Sequence, residues 1–252
     1  MDNKEIAGIV LKYRKAANRI ILLDYDGTLV DYEKIPENAK LSENLSAILK
    51  RLIGKSGTEV YIISGRAHRE IEKLLNHLPI RIISEHGSMI RKGNDWVGVI
   101  PENHLWKEPI IPLLRQAVAD CPDSYVEEKR FSLAWHYRSA DPEAGFEQSR
   151  KLIRVLGKSI SSLNLKILDS KKVVEILPAE IGKGKAVEKL MKMNNYDFIL
   201  SIGDDATDEE MFGFFLNIPD AVTIKVGYGD SLARYNIKDI DGVISLLKQL
   251  SE

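Results

Sequence analysis

Cysteine is nearly missing from this chain of 252 residues, where Cys121 stands alone. A single cysteine makes no intrachain disulfide, and no Cys/His cluster is present to hold zinc, so the sequence fits a reducing compartment. Long apolar runs are missing too, for none approaches the roughly 20 residues needed to cross a bilayer. The N-terminus opens Met1-Asp2-Asn3-Lys4-Glu5 and alternates charged with apolar residues up to Arg19. It lacks the unbroken apolar stretch and cleavage site of a signal peptide and reads as an amphipathic helix. A cytoplasmic location with no membrane partner is the expectation. Net charge is the third absence: 36 Lys and Arg stand against 37 Asp and Glu, leaving −1. No global field draws nucleic acid, and any anion site must be local. Internal repeats and low-complexity segments are absent as well. What remains is 44% hydrophobic and 29% charged residues, the mix of an ordinary globular protein long enough to bury a full core.

Short apolar runs recur, each too short for a helix and each followed by a loop. Ile20-Ile21-Leu22-Leu23, Val60-Tyr61-Ile62-Ile63, Ile80-Arg81-Ile82-Ile83, Phe198 to Ile202 and Ala221 to Val226 read as buried parallel strands. Between them, residues 42–53, 67–77, 183–193 and 207–215 carry apolar positions at helical spacing. The alternation predicts an α/β fold with a doubly wound parallel sheet, which binds ligands at strand C-termini. The segment 105–181 breaks the rhythm with the order helix, strand, strand, helix, strand, strand. We expect an inserted α/β cap domain there, with 1–104 and 182–252 forming the core. Within it, Phe131, Leu133, Trp135 and Tyr137 alternate with Ser132, Ala134, His136 and Arg138, giving one apolar and one polar face over Phe131 to Arg138. Glu127 and Lys129 share a face, as do Val173 and Glu175, and the expectation is that the polar groups turn toward the core's ligand-binding edge. Gly87 to Ile100 reads as a hairpin turning at Gly93-Asn94. After Gly227 only a final helix near 240–251 is expected.

Chemistry gathers at strand ends. Asp24-Tyr25-Asp26-Gly27-Thr28 follows the first strand and places two carboxylates at the ligand-binding edge. Asp24, at the strand tip, is placed to attack phosphorus. Asp26 is placed to protonate a leaving oxygen and then to deprotonate water. Gly203-Asp204-Asp205-Ala206-Thr207-Asp208 puts three carboxylates in five residues, a repulsion that a cation relieves, and an all-oxygen setting suits Mg²⁺. Asp204 is the expected direct ligand, and Asp205 orients the loop. For Asp208 two roles stay open: holding metal-bound water or Lys183, or stabilising a helix N-terminus. Ser64, before Gly65-Arg66, either offers its hydroxyl to phosphate or caps a helix. Lys183, between Gly182 and Gly184, reaches the same phosphate as a point charge. Glu85 and His86 either shape the mouth of the site or form a turn, while Trp96 and Trp106 are expected to serve packing.

The ordered set Asp24 to Thr28, Ser64-Gly65-Arg66, Lys183 and Gly203 to Glu209 resembles the haloacid dehalogenase (HAD) superfamily of phosphatases, in the type whose α/β cap lies between the second and third motifs. Ser84-Glu85-His86-Gly87, Glu127-Glu128-Lys129, His136-Tyr137-Arg138 and Val174-Glu175-Ile176 make it similar, within that superfamily, to the trehalose-6-phosphate phosphatases over about residues 19–226. The resemblance implies a HAD-like core and Mg²⁺ held by Asp24, the backbone carbonyl of Asp26, and Asp204. It implies phosphate held by Thr28, Ser64 and Lys183. It implies trehalose hydroxyls held by Glu127, Lys129, Arg138 and Glu175, in line with the acceptors and donors that a disaccharide needs. The expected activity is Mg²⁺-dependent hydrolysis of trehalose 6-phosphate by a free-standing, monomeric enzyme. Its partner is a small sugar phosphate and no nucleic acid. A phosphatase for sucrose 6-phosphate or mannosyl-3-phosphoglycerate, a phosphomutase, and a non-catalytic sensor are the rivals.

Overall fold

Asp2 opens the first helix by accepting the N–H groups of Lys4 and Glu5, while the Glu5 carboxylate returns to the Asp2 N–H, a reciprocal cap that satisfies otherwise orphaned donors. A computed structural model describes residues 1–33, 35–160 and 163–252. Its elements run α1 (Asn3–Lys15), β1 (Arg19–Leu23), α2 (Glu43–Gly54), β2 (Thr58–Ile63), α3 (His68–Leu75), β3 (Arg81–Ser84), β4 (Met89–Lys92) and β5 (Asp95–Gly98). They continue as α4 (Ile111–Asp120), β6 (Tyr125–Glu128), β7 (Leu133–His136), α5 (Pro142–Ser159), β8 (Leu165–Ser170) and β9 (Val173–Pro178). The last are α6 (Lys183–Met193), β10 (Phe198–Gly203), α7 (Glu209–Phe215), β11 (Val222–Val226), β12 (Tyr235–Ile237) and α8 (Ile240–Ser251). The chain forms two compact units, Met1–Val97 with Gly182–Glu252, and Gly98–Ile181.

In the first unit the strand order is β12-β11-β10-β1-β2-β3-β4-β5, parallel from β12 to β3 and antiparallel from β3 to β4. Alternation along β1 explains the layers. Ile21 and Leu23 face a core built with α1, α2, α3 and α8, whereas Ile20 and Leu22 face one built with α6 and α7. Both faces are covered, which is why β1 reads as an unbroken apolar run. The C-terminal ends of β1, β2 and β10 carry Asp24, Ser64 and Asp204. The hairpin turns at Gly93, whose φ of +63° is one that glycine adopts without strain. One strand escaped sequence reasoning: β12 is three residues at the sheet edge, too short and too polar at Asn236 to show as an apolar run.

In the second unit an antiparallel sheet of order β6-β7-β9-β8 lies against α4 and α5. Leu133, Trp135 and Tyr137 enter that core. The expected strand Phe131 to Arg138 pairs only over β7, because the Lys129 N–H bonds the Ser132 carbonyl and closes a turn there. Trp106 is buried in this core, and the Trp135 indole donates to Ser124 Oγ at 3.0 Å. Among the described residues no helix is long and apolar enough to cross a membrane.

Candidate active site

The turn after β1 is wound tightly: the N–H groups of Leu29 and Val30 both reach the Tyr25 carbonyl, and the Gly27 N–H reaches the Val30 carbonyl at 2.7 Å. The Tyr25 hydroxyl donates to the Ala39 carbonyl at 2.7 Å and anchors the turn from below. Gly27 sits at φ +83°, and a Cβ there would lie 2.3 Å from Asp204 Oδ2. Glycine is therefore what lets the Asp204 carboxylate settle onto the turn. Thr28 is wholly enclosed, and its hydroxyl is a buried group with no hydrogen-bond partner.

Lys183, at the first turn of α6, is 2% exposed and reaches Asp24 Oδ1 at 2.7 Å and Asp208 Oδ1 at 2.8 Å. Burial disfavours its charge, but Asp208 and Asp24 outweigh that and hold the ammonium's pKa well above its usual value. Burial also raises the Asp24 carboxyl well above the carboxylate range, against the pull of Lys183 and with the help of Asp208, Asp205 and Asp204. Asp208 is pushed up by burial in the same way. Four carboxylates around one buried ammonium leave an excess of negative charge. Oxygens of Asp24, Asp204 and Asp208 lie within 4.8 Å of one another, so the donor set fits a hard divalent cation. Asp208 has little left to give such an ion. Its Oδ1 takes Lys183, and its Oδ2 accepts the N–H groups of Asp204 and Asp205 at 2.9 and 3.1 Å. Of the roles the sequence left open, the hydrogen bonds show the hold on Lys183: Asp208 stands at the N-terminus of α7 without a side-chain capping bond, and its carboxylate braces the acidic loop and the lysine. Against the cost of burial, the Lys183 charge, helped by the Thr207 N–H and hydroxyl that Asp205 accepts, holds the Asp205 pKa down at about 2.

Ser64 is buried and accepts the Arg66 N–H at 3.2 Å, leaving its own proton to donate. It does not cap α3, whose N-cap is Ala67. Arg66 grips Asp26 with a two-pronged pair, Nε to Oδ2 at 2.7 Å and Nη2 to Oδ1 at 2.6 Å. Glu85 and His86 follow β3 with φ of +49° and +55°, an unusual conformation for residues other than glycine. Their N–H groups bond the carbonyls of Arg66 and Ser64, so this loop is built onto the Ser64 turn, and the Glu85 carboxylate meets His68 Nδ1 at 2.8 Å. Trp96 packs near the His68 ring.

Sequence reasoning passed over Tyr32 and Lys225. The Tyr32 hydroxyl donates to Asp204 Oδ1 and Oδ2 at 3.2 and 3.1 Å, and Lys225 Nζ donates to the Asp204 carbonyl at 2.7 Å. Burial and the neighbouring Asp204, Asp205 and Asp24 raise the phenol's pKa, so it stays protonated and a donor. A tyrosine in a polar loop and a lysine near a strand end carry no signal that would have singled them out.

In the second unit Glu127, Ala134 and Glu175 lie side by side on β6, β7 and β9. The small Ala134 leaves room for Lys129 Nζ to reach Glu175 Oε1 at 3.1 Å and to approach Glu127 at 3.9 Å. Ser132 Oγ also donates to Glu175, and His136 Nε2 meets Glu127 Oε2 at 2.9 Å. Lys107, unforeseen, is buried at 3% exposure and bonds the Lys129 carbonyl at 2.6 Å and Glu128 at 3.0 Å. Arg138 is exposed beside the Lys171 carbonyl at 3.4 Å.

A family model described as trehalose-phosphatase matches residues 22–239. The chain is 37% identical over 246 residues to alpha,alpha-trehalose-phosphate synthase [UDP-forming] B of Dictyostelium discoideum, covering 95% of this chain and 31% of that protein. It is 35% identical over 251 residues to the bifunctional trehalose-6-phosphate synthase/phosphatase of Thermoproteus tenax, covering 99% and 34%. It thus spans about a third of the length of these curated relatives. The solved C-terminal domain of Candida albicans trehalose-6-phosphate phosphatase superposes with a TM-score of 0.92 at 26% identity, over 98% of this chain and 96% of that one.

Proposed function

The chain belongs to the trehalose-phosphatase family, and from that premise we propose that it hydrolyses trehalose 6-phosphate to trehalose and phosphate through an aspartyl-phosphate on Asp24. The observation that carries the reading is the convergence of Asp24, Asp204 and the buried Lys183 at the C-terminal ends of β1 and β10. Carboxylates of Asp24 and Asp204, with the backbone carbonyl of Asp26, would hold Mg²⁺, which supplies positive charge opposite the phosphoryl oxygens when bound. Lys183 adds a point charge and a further N–H, the Ser64 hydroxyl donates to phosphate, and the unpartnered Thr28 hydroxyl is one more donor in the turn. An Asp24 oxygen attacks phosphorus as the bond to the sugar 6-oxygen breaks, and Asp26 gives that oxygen its proton. Asp26 then takes a proton from water, which attacks the aspartyl-phosphate and frees Asp24 and phosphate. Such chemistry depends mainly on positioning and charge.

The second unit, as a cap, supplies sugar recognition in this reading. Glu127 and Glu175 accept from trehalose hydroxyls, while Lys129 and Arg138 donate to them. The same reading makes the protein a cytosolic monomer, in keeping with the single, buried Cys121. Phosphate release from trehalose, glucose and sucrose 6-phosphates, with Mg²⁺ or a chelator, tests it. We expect Mg²⁺-dependent release that favours the trehalose ester and disappears in Asp24→Asn. Release that survives Asp24→Asn removes the nucleophile from the scheme, and equal rates on all three esters remove the sugar assignment.

A further inference from the structure

Asp204 is gripped by groups that the scheme above does not employ. Its N–H donates to Asp208 Oδ2 at 2.9 Å, its carbonyl accepts from Lys225 at 2.7 Å, and both carboxylate oxygens accept from the Tyr32 hydroxyl at 3.2 and 3.1 Å. The holders come from distant parts of the chain: Tyr32 from the loop beyond the Asp24–Thr28 turn, Lys225 from the end of β11. An aspartate's terminal torsion is broad, so its carboxylate plane is set by its partners rather than by its rotamer. A donor placed between the two oxygens fixes that plane. The same carboxylate sits close over Gly27, where a Cβ would meet Oδ1 and Oδ2 at 2.6 and 2.3 Å.

We propose that Tyr32 is a positioning residue for the cation site: its hydroxyl holds the Asp204 carboxylate in the orientation from which it binds a divalent ion, while Lys225 fixes the backbone from which that carboxylate projects. The inference rests on Asp204 being a ligand. A partner of this kind spares the protein the entropy of ordering the carboxylate when the ion arrives, and its removal typically weakens metal affinity by about 10–100-fold. Phenylalanine keeps the ring and deletes only the hydroxyl. The test is calorimetric titration of Mg²⁺ into the full chain and into Tyr32→Phe, repeated with Mn²⁺ followed by electron paramagnetic resonance, and with melting in chelator on the same samples. We expect affinity for both ions to fall by about tenfold or more, with the chelator melting temperature unchanged. Unchanged or tighter binding in Tyr32→Phe overturns the proposal, and so does a melting temperature that falls in step with affinity, which would mean packing alone. Absence of saturable binding to the wild-type chain overturns the cation reading itself, a result distinct from any effect of the substitution.

Discussion

Arg66 presents Asp26 with two parallel bonds, of 2.7 and 2.6 Å, and a third N–H ties the guanidinium to the Pro36 carbonyl at 2.8 Å. The fork fixes both the position and the plane of the carboxylate that the proposed scheme uses to carry a proton. Lysine keeps the charge but offers one point in place of two fixed prongs, so Arg66→Lys is not a conservative change here. Steady-state kinetics on trehalose 6-phosphate should show kcat down by about tenfold or more in Arg66→Lys, below the loss of roughly 10²–10⁴ expected for Asp26→Asn, with KM little altered. A rise in KM at unchanged kcat would instead place Arg66 in substrate binding. Gly27 is constrained more severely. Alanine there must hold a φ of +83°, costing about 1–2 kcal/mol, and its Cβ must displace the Asp204 carboxylate. Gly27→Ala should therefore lower the melting temperature modestly and abolish Mg²⁺ binding in a titration, two losses that a merely strained turn would not couple.

Turns and strand ends decide how well each set of side chains is presented, and Lys107 shows this in the second unit. Its ammonium bonds the carbonyl of Lys129, the residue that reaches Glu175, so a buried cation fixes the turn from Lys129 to Ser132. Lys107→Met leaves that carbonyl without its charged donor, at a cost of about 1–3 kcal/mol in urea unfolding. In the proposed reading it raises KM for trehalose 6-phosphate several-fold and leaves kcat on p-nitrophenyl phosphate unchanged. The sequence could not show Lys107, because a lysine in the connection between β5 and α4 looks solvated until the fold closes over it. What it could show followed from periodicity. β1, β2 and β10 lie between two layers of helices, so apolar residues dominate their buried stretches and their ends mark the loops that carry Asp24, Ser64 and Asp204. The edge strand β12 is covered less and leaves no such trace. Partnerships across the fold were equally hidden: Arg66 was in view as part of a motif, but its pairing with Asp26 depends on how two separate loops meet. The same holds for Tyr32 and Lys225, which meet Asp204 only after β1, β10 and β11 are side by side.

Across the whole molecule, an almost neutral chain keeps a local excess of negative charge inside one of its two units. The acidic cluster belongs wholly to Met1–Val97 with Gly182–Glu252, whereas Gly98–Ile181 has its own core around Trp135, Leu133, Leu156 and Ile176. An ion that binds only the folded cluster stabilises that unit by mass action, by about 2.7 kcal/mol at a hundred times its dissociation constant. For a unit of this size the gain corresponds to a melting shift on the order of 5–10 °C. The second unit supplies none of the three clustered carboxylates, and its buried Glu175 accepts from Lys129 and Ser132. Scanning calorimetry in chelator and in saturating Mg²⁺ should therefore resolve a transition that moves upward with the ion and one that does not. Asp204→Asn should cancel the shift without disturbing the stationary transition. If instead a single transition moves as a whole, the two cores unfold as one cooperative body, and stabilisation at the acidic cluster is shared by the sheet that carries Glu127 and Glu175.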